Sequence, residues 1–596
     1  MLKPDATGIA AMPALEQVIE SRFPEFGIRQ GPLARPALAI LRKMLREAEV
    51  NAFLAGAAGL EGIEFIDRIL EHFNFSYSVL GREIENIPAE GRVVIVANHP
   101  LGLLDGAALL KLVSEVRPDV RIVANDVLMQ IRALAPVLLP IVNLGGGCNR
   151  GNVQAIHDAL ANDEAVIIFP SGEVSRAGPL GIRDGRWHAG FLRFAGQARA
   201  PLLPVHLDGR NSALFYSLST VFKPLSTLML VGEAMRQRDR TLPVRIGELI
   251  AWREIAALDA TRESRIRRIA SQLYGLPRNR PAGLRTEKPV ARPEARLAVR
   301  EELRSAERLG QTGDGKDIFL FEGRANSAVM RELGRLREIA FRRAGEGTGR
   351  RRDLDAFDAY YRQVVLWDES ALQIVGAYRL GEAASIVAAR GPEGLYTHGL
   401  FALEEGFRRI LPRALELGRS FVQPRYQGLR ALEYLWYGIG AYVATRPSVR
   451  YLFGPVSISA QYPAQARGLL VHFYRLYFGD SQGLATARVR YAVPPAEEAA
   501  HRAFFAGDDY PRDFRALKHR LGELGVGVPT LYKQYTELCE PGGARFLGFG
   551  VDRDFSDCID GLVLVDLEML KATKRRRYLG PPPSPAVRDG QESEYA

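Results

Sequence analysis

The chain has 596 residues, of which 47% are hydrophobic and 25% charged, and it carries a formal net charge of +10. That balance excludes a disordered chain and a polytopic membrane protein, and the length exceeds what one hydrophobic core serves. Basic residues attract anionic lipid, acidic protein or nucleic acid, but here they are dispersed and no nucleic-acid-binding motif occurs, which leaves the first two. Cys148, Cys539 and Cys558 are too scattered for a disulfide framework or a metal site, so a reducing cytosol is expected. The N-terminus has no basic segment followed by an apolar one, so no secretory signal is expected. No uncharged apolar run reaches the roughly twenty residues of a membrane span. The nearest, Val127 to Leu144 and Ser212 to Val231, are interrupted by Arg132 and Lys223 and read as core elements or as segments dipping into a membrane interface.

Along the chain, residues 1–84 read as a helical extension, with amphipathic runs at Pro36–Glu47 and Ile63–Phe75. Four short apolar, β-branched runs follow at Arg92–Ala97, Val120–Ala124, Ala165–Phe169 and Pro201–His206, with helical patterns between them. Alternating strands and helices predict an α/β domain with a largely parallel sheet over residues 85–275. Residues 276–314 begin with a proline-rich, charged stretch and read as a linker. A second unit is expected over 315–570, with a helix at Met330–Arg343, a glycine-rich turn at Gly345–Gly349 and strands at Gln373–Leu380, around Phe421 and at Tyr451–Ser457. Residues 571–596 read as a disordered tail whose basic start suits anionic lipid.

Two constellations carry chemistry. The first strand of the α/β domain ends in Asn98-His99-Pro100-Leu101-Gly102-Leu103-Leu104-Asp105-Gly106. Catalytic groups of open α/β sheets gather at strand ends. A histidine there can serve as general base, and a nearby carboxylate can fix its tautomer; a helix-capping Asp105 and a hydrogen-bonded His99 are the plain alternative. The strand at Ala165–Phe169 ends in Pro170-Ser171-Gly172-Glu173-Val174-Ser175-Arg176. Gly172 permits close backbone approach, and Arg176 suits a phosphate or carboxylate. Together these segments resemble the glycerolipid acyltransferase superfamily, with Asn143–Arg150 and Leu203-Pro204-Val205 placed like two further motifs. Five residues separate His99 from Asp105 where the family has four, and Ser171 stands where it usually has Glu; both departures match a hemolysin-like subgroup. The resemblance implies O-acylation: His99 deprotonates an acceptor hydroxyl, Asp105 orients His99, and Asn98, Gly102, Ser171, Gly172, Glu173 and Arg176 bind the acceptor.

The second constellation is Leu336-Arg337-Glu338-Ile339-Ala340-Phe341, then Asp355-Ala356-Phe357-Asp358, Gly376-Ala377-Tyr378-Arg379-Leu380, Glu416-Leu417-Gly418-Arg419 and Gly454-Pro455-Val456-Ser457-Ile458-Ser459. Each piece alone is more often a solvated helix start or a surface ion pair. Their order resembles the GNAT-like N-acyltransferase fold of acyl-homoserine-lactone synthases and ornithine N-acyltransferases, and the last segment is closer to the ornithine branch. The resemblance implies that Glu416 takes a proton from an amine, that backbone N–H groups of an irregular strand stabilise the oxyanion, and that Arg337, Phe341, Asp355, Asp358, Arg379 and Arg419 form the substrate site. The common coenzyme A loop is indistinct around Arg425–Gly428, which suits a 4′-phosphopantetheine-linked acyl carrier protein as donor, with acyl-coenzyme A as the other.

The architecture expected from sequence is therefore α/β with two domains, a glycerolipid-acyltransferase-like fold followed by a GNAT-like fold. In series they resemble the bifunctional ornithine lipid synthases. The implied partners are acyl carrier protein, ornithine or a similar amino acid, and membrane lipid at the inner face of the cytoplasmic membrane. No bound cofactor, metal or nucleic acid is implied. Two rivals are a lysophospholipid acyltransferase with a regulatory C-terminal domain and a membrane-lytic protein.

Overall fold

The structure is a computed structural model. It describes residues 47–124, 128, 131–140, 150–178, 181–221, 230–258, 260–280, 283–324, 326–428 and 430–580. The chain forms two compact units that meet between Pro289 and Val290.

In the first unit, helices α1 (Glu47–Gly56) and α2 (Gly62–His72) lead into β1 (Ser76–Val79) and β2 (Val93–Ala97). They are followed by α3 (Leu103–Ser114), β3 (Val120–Ala124), β4 (Leu138–Pro140), α4 (Arg150–Ala161) and β5 (Ala165–Ile168). A small hairpin, β6 (Arg176–Gly178) and β7 (Gly181–Arg183), precedes α5 (Gly190–Ala198), β8 (Leu202–Leu207), α6 (Ala213–Val221), α7 (Leu230–Arg236), β9 (Thr241–Ile246), α8 (Trp252–Ala256) and α9 (Arg262–Gly275). The seven-stranded sheet has the order β1-β9-β8-β2-β5-β3-β4. Strands β4, β3, β5, β2 and β8 run parallel, while β9 is antiparallel to β8 and carries β1 with it. Every residue of β2 and β5 is buried, as expected where both faces of a parallel sheet are covered. Alternation still sorts them: Val93, Ile95 and Ala97 pack on the face of α2 and α3, and Val94 and Val96 on the face of α4, α5 and α9.

Two boundaries differ from the sequence reading. Residues 47–84 are part of this unit, since β1 extends its sheet and α2 packs on it. At the other end the unit runs past residue 275, because Glu287 bridges to Leu249. The Asn143–Asn149 segment and the run Pro36–Arg46 lie outside the described residues, as do residues 222–229 and the tail from 581.

The second unit opens with α10 (Arg296–Arg304), β10 (Glu307–Gln311), β11 (Asp317–Glu322) and α11 (Ala328–Ala344). The stretch read as a linker thus contains a helix and an edge strand. Then come β12 (Arg362–Asp368), β13 (Gln373–Glu382), α12 (Ala383–Arg390), α13 (Tyr396–Leu400), β14 (Phe401–Leu403), α14 (Glu405–Arg408), β15 (Ala414–Val422), α15 (Ala431–Ala444) and β16 (Tyr451–Ile458). The unit ends with α16 (Ala464–Phe478), β17 (Ala485–Ala487), α17 (Pro495–Phe504), α18 (Tyr510–Glu523), α19 (Thr530–Thr536), β18 (Ala544–Asp552), β19 (Cys558–Asp566) and α20 (Ala572–Leu579). α20 corrects the reading of the tail from 571 as disordered: Gly440 of α15 has no side chain, so the backbone of Tyr578 seats against it, and the Tyr578 ring lies 5.9 Å from Trp436.

The eight-stranded sheet has the order β10-β11-β12-β13-β15-β16-β19-β18, antiparallel throughout except for β15 and β16. That parallel pair is in register only over Ala414–Glu416 and Tyr451–Phe453. The strands meet last at Gly454, where a Cβ would fall 2.0 Å from the Leu417 carbonyl oxygen, and then part into a wedge. α11 is fixed at both ends. Ser327 caps its start by accepting the Met330 N–H, and Gly345, at φ +82°, closes it in the left-handed conformation that glycine tolerates.

Candidate active sites

In the first unit β2 delivers Asn98 and His99 to the carboxyl edge of the sheet. Gly102, at φ +98°, turns the chain into α3 and places Asp105 in its first turn, where helix N–H groups favour a carboxylate. The longer spacing is absorbed in this turn. His99 Nδ1 lies 3.2 Å from Asp105 Oδ2, and that oxygen also accepts the Leu101 N–H at 2.8 Å. Asp105 is fully buried, and the imidazole stacks on Phe169 with ring centres 4.1 Å apart. Burial alone pulls the His99 pKa down, but Asp105 and then Asp184 more than reverse this, so it sits above the ordinary value. Burial opposes ionisation of Asp105, and His99 with the Leu101 and Gly102 N–H groups outweighs it, so its pKa sits below the ordinary value. With Nδ1 held by a carboxylate, Nε2 is the nitrogen left to take a hydroxyl proton.

The other residues expected at this site have mainly positioning contacts. The Asn98 amide both donates to and accepts from the backbone of Leu207, tying β2 to β8. Ser171 donates to the Glu173 carbonyl at 2.7 Å, Gly172 takes φ +63°, and Glu173 and Arg176 pair at 3.5 Å. The Pro170–Arg176 loop is joined to the histidine through Ser175, whose N–H donates to the His99 carbonyl at 2.7 Å. Asp184, which the sequence reading passed over, accepts the His99 N–H at 3.1 Å and the Ser175 hydroxyl at 2.5 Å.

In the second unit the predicted residues converge, but on one another. Asp355 and Asp358 form a capping box on a short 3₁₀ turn. Arg337 Nη1 reaches Asp358 at 2.9 Å and its Nη2 donates to Gln363 at 2.7 Å. Arg379, 1% exposed, reaches Asp355 at 2.6 Å and Asp358 at 3.3 Å. Arg419 binds Asp353 at 3.1 Å and Asp355 at 3.4 Å and donates to the Tyr396 hydroxyl at 3.0 Å. Phe341 packs edge-on against Phe555. The guanidinium groups expected to hold substrate are therefore engaged in internal ion pairs.

β15 has the irregularity that the resemblance implies. Gly418 pairs with Arg379 and Phe421 with Ala377, so Arg419 and Ser420 stand opposite Tyr378 alone. Arg419 takes φ +48°, a rare conformation for a side chain of its size. Residues three apart on a regular strand face opposite sides. Here Glu416 and Arg419 both address α13. Glu416 is 1% exposed and accepts the Thr397 N–H at 2.6 Å, the Thr397 hydroxyl and the Tyr361 hydroxyl. Burial raises its pKa, opposed by these donors. Thr397 and Tyr361 are themselves buried, at 0% and 2% exposed.

Three buried acids beside this network had no signal in the sequence reading. Asp552 accepts the Tyr396 hydroxyl at 3.2 Å. Glu346, from the turn after α11, accepts the Ser457 hydroxyl at 2.8 Å. Ser457 is in register with Asp560, whose carboxylate is met by the Cys558 thiol at 3.7 Å. Burial pushes Glu346 up to about 7 and Asp560 well above its ordinary value, the latter helped by Asp552 and Glu346. Among the described residues no group of acids, histidines or cysteines is arranged to hold a metal ion.

Residues 28–280 match the family model described as "Acyltransferase" and residues 336–437 the one described as "Acetyltransferase (GNAT) domain". The chain is 32% identical over 304 residues to a glycine N(alpha)-acyltransferase of Bacteroides thetaiotaomicron, covering 49% of this chain and 89% of that protein. It is 35% identical over 222 residues to a lyso-glycine lipid O-acyltransferase of the same organism, covering 36% of this chain and 80% of that one. The chain belongs to these acyltransferases. An L-ornithine N(alpha)-acyltransferase of Brucella abortus is 32% identical over 165 residues, covering 26% of this chain and 57% of that protein. This acyltransferase thus joins an N-terminal acyltransferase region to a C-terminal GNAT domain, and the His99–Asp105 dyad and the β15 bulge fall one in each. No helix among its described residues is long and apolar enough to cross a membrane.

Proposed function

We propose that this acyltransferase makes a two-chain aminolipid, with the GNAT unit forming an amide on ornithine and the first unit forming an ester on the product. In the first step a free amine attacks the carbonyl of a 3-hydroxyacyl thioester and a thiolate departs. The amine proton passes to Glu416 through the Tyr361 or Thr397 hydroxyl and on to that thiolate, and N–H groups at the β15 bulge receive the oxyanion. In the second step His99 Nε2 takes the proton of the 3-hydroxyl, the oxygen attacks a second thioester, and the imidazolium returns the proton to the departing thiolate. Tethering raises the concentration of the intermediate near the second site. The net charge of +10 suits an acidic acyl carrier protein as donor. Leu103 and Leu214, exposed on the first unit, suit contact with the inner face of the membrane.

The observation that carries ornithine is the buried pair Glu346 and Asp560, which no arginine neutralises by direct contact among the described residues. A second ammonium on the acceptor supplies that missing charge. Glycine, which has no such group, is the second reading, favoured by the longer coverage of the glycine N(alpha)-acyltransferases. The test is lipid mass spectrometry of a host without aminolipids that expresses the intact gene, His99→Ala or Glu416→Ala. The expected results are a two-chain ornithine lipid, its single-chain form, and neither. A glycine lipid supports the second reading. A change confined to phosphatidic acid or phospholipids refutes both and favours a lysophospholipid acyltransferase.

A further inference from the structure

Asp184 lies in the turn after β7, and its contacts converge on the histidine. Oδ1 accepts the His99 backbone N–H at 3.1 Å and the Ser175 hydroxyl at 2.5 Å, and Oδ2 accepts the Trp187 indole N–H at 3.2 Å. The backbone N–H of Asp184 donates to the Tyr274 hydroxyl of α9 at 2.9 Å. Ser175 in turn donates its own N–H to the His99 carbonyl. Both backbone polar groups of His99 are thus held by one carboxylate and the serine bound to it. Burial pushes the Asp184 carboxyl up from its ordinary value, and three donors, the Ser175 hydroxyl, the His99 N–H and the Trp187 indole N–H, oppose that rise.

We infer that Asp184 is a positioning residue for acyl transfer in the first unit: it locks the backbone of His99 and sets a second anion beside Asp105 to favour the imidazolium. Asp105 fixes the ring through Nδ1, while Asp184 fixes the chain that carries the ring and links it to the Pro170–Arg176 loop. The charged groups facing the imidazole are Asp105 from α3 and Asp184. Behind them, Arg183 lies over the Tyr274 ring, and Glu173 pairs with Arg176. Both carboxylates favour the imidazolium that forms when a hydroxyl proton is taken, so loss of either charge makes His99 a weaker base.

The catalytic part of this inference rests on the O-acyl transfer proposed above, so its test has a readout independent of substrate. In the full chain, carbethoxylation of His99 by diethyl pyrocarbonate is followed against pH by peptide mass spectrometry, which gives the protonation midpoint of the ring. Asp184→Asn keeps the shape and removes the charge. The midpoint is expected to fall by roughly one pH unit. Where O-acylation is measured, kcat/KM falls with its acid limb displaced the same way, and Asp184→Glu restores the midpoint. Asp184→Ser, neutral and smaller, is the second variant should the asparagine chain fail to fold. An unmoved midpoint in a folded neutral variant overturns the inference, even if activity falls, because a purely structural role predicts that result. A moved midpoint in a protein that acylates no lyso-aminolipid upholds the inference and refutes the proposed acceptor.

Discussion

Replacing Asp105 by Asn tests the dyad most directly. The carboxylate is fully buried, and its oxygens accept the Leu101 and Gly106 N–H groups at 2.8 Å each while Oδ2 faces His99 Nδ1 at 3.2 Å. An asparagine has one acceptor oxygen where three donors converge, so its NH₂ group must face at least one N–H. The arrangement that keeps the oxygen on Gly106 turns the NH₂ toward Nδ1 and selects the tautomer protonated on Nε2, which cannot accept the hydroxyl proton. A tautomer error in a dyad of this type costs roughly 10³-fold or more in rate, or about 4 kcal/mol in barrier height. The pH dependence has a defined sign. Asp105 and Asp184 raise the His99 pKa, and the base works only when neutral, so the rate climbs as pH rises through that pKa. Without the carboxylate the pKa falls and the acid limb moves to lower pH. The assay is single-turnover O-acylation of a synthetic N-(3-hydroxyacyl)ornithine by the full chain across the acid and neutral range. A loss below about tenfold, or an acid limb that stays in place, refutes the assignment of His99 as the base.

The ornithine reading predicts that Glu346→Gln and Asp560→Asn each lower kcat/KM for N-acylation of ornithine by roughly 100-fold while leaving glycine nearly unchanged, as competition assays with both amino acids will show. The same acid shapes stability: burial raises the folded pKa of Glu346 to about 7, so its contribution is present below about pH 4.5 and lost as pH rises to about 7, a change of about 3 kcal/mol, and Glu346→Gln is expected to flatten urea-unfolding stability across that window. Arg379→Ala removes the buried guanidinium that Asp355 and Asp358 share, leaving them only Arg419 and Arg337, and is expected to cost about 3 kcal/mol, read as a lowered unfolding midpoint of the second unit. Gly454→Ala drives a methyl into the Leu417 carbonyl at the apex of the wedge and is expected to cost about 1–3 kcal/mol together with N-acyl transfer; O-acyl transfer at full rate in the same protein distinguishes this from general misfolding.

The strands of the first unit were legible because β2 and β5 are covered on both faces, so their apolar runs are unbroken and sit next to turn residues. The same reasoning missed β10, whose sequence Glu307-Arg308-Leu309-Gly310-Gln311 is polar because it lies at a sheet edge. It also read the start of the tail as disordered, although Lys574 to Arg577 are carried on a helix anchored by Tyr578. The dyad was visible as a strand-end histidine with a carboxylate in the first turn of α3. The Asp355–Asp358 pair was visible too, but its role was not: a motif rich in ionisable groups reads as a binding site until the arginines that neutralise it are located. Arg419 illustrates a further limit. Nothing in Glu416-Leu417-Gly418-Arg419 shows that the arginine adopts positive φ, because that conformation is imposed by the pairing of two strands distant in sequence. Asp184, Glu346 and Asp560 matter through what surrounds them, and the sequence separates each of them from its partners by between 2 and 214 residues.

On the proposed function the two sites handle protons in different ways, and the difference follows from their acceptors. A hydroxyl is a weak acid, so the first unit supports a histidine with two anions that stabilise its protonated form. An amine nucleophile reaches the enzyme already protonated at neutral pH and must lose that proton while its cation is still recognised. A site rich in buried carboxylates serves both needs. On the proposed function, Glu346 and Asp560 would meet positive charge, and Glu416 would receive a proton through the Tyr361 and Thr397 hydroxyls while buried itself. The three arginines of that unit are then best understood as a frame. By pairing with Asp353, Asp355 and Asp358 they neutralise those acids, while Glu346 and Asp560 have no arginine in direct contact among the described residues.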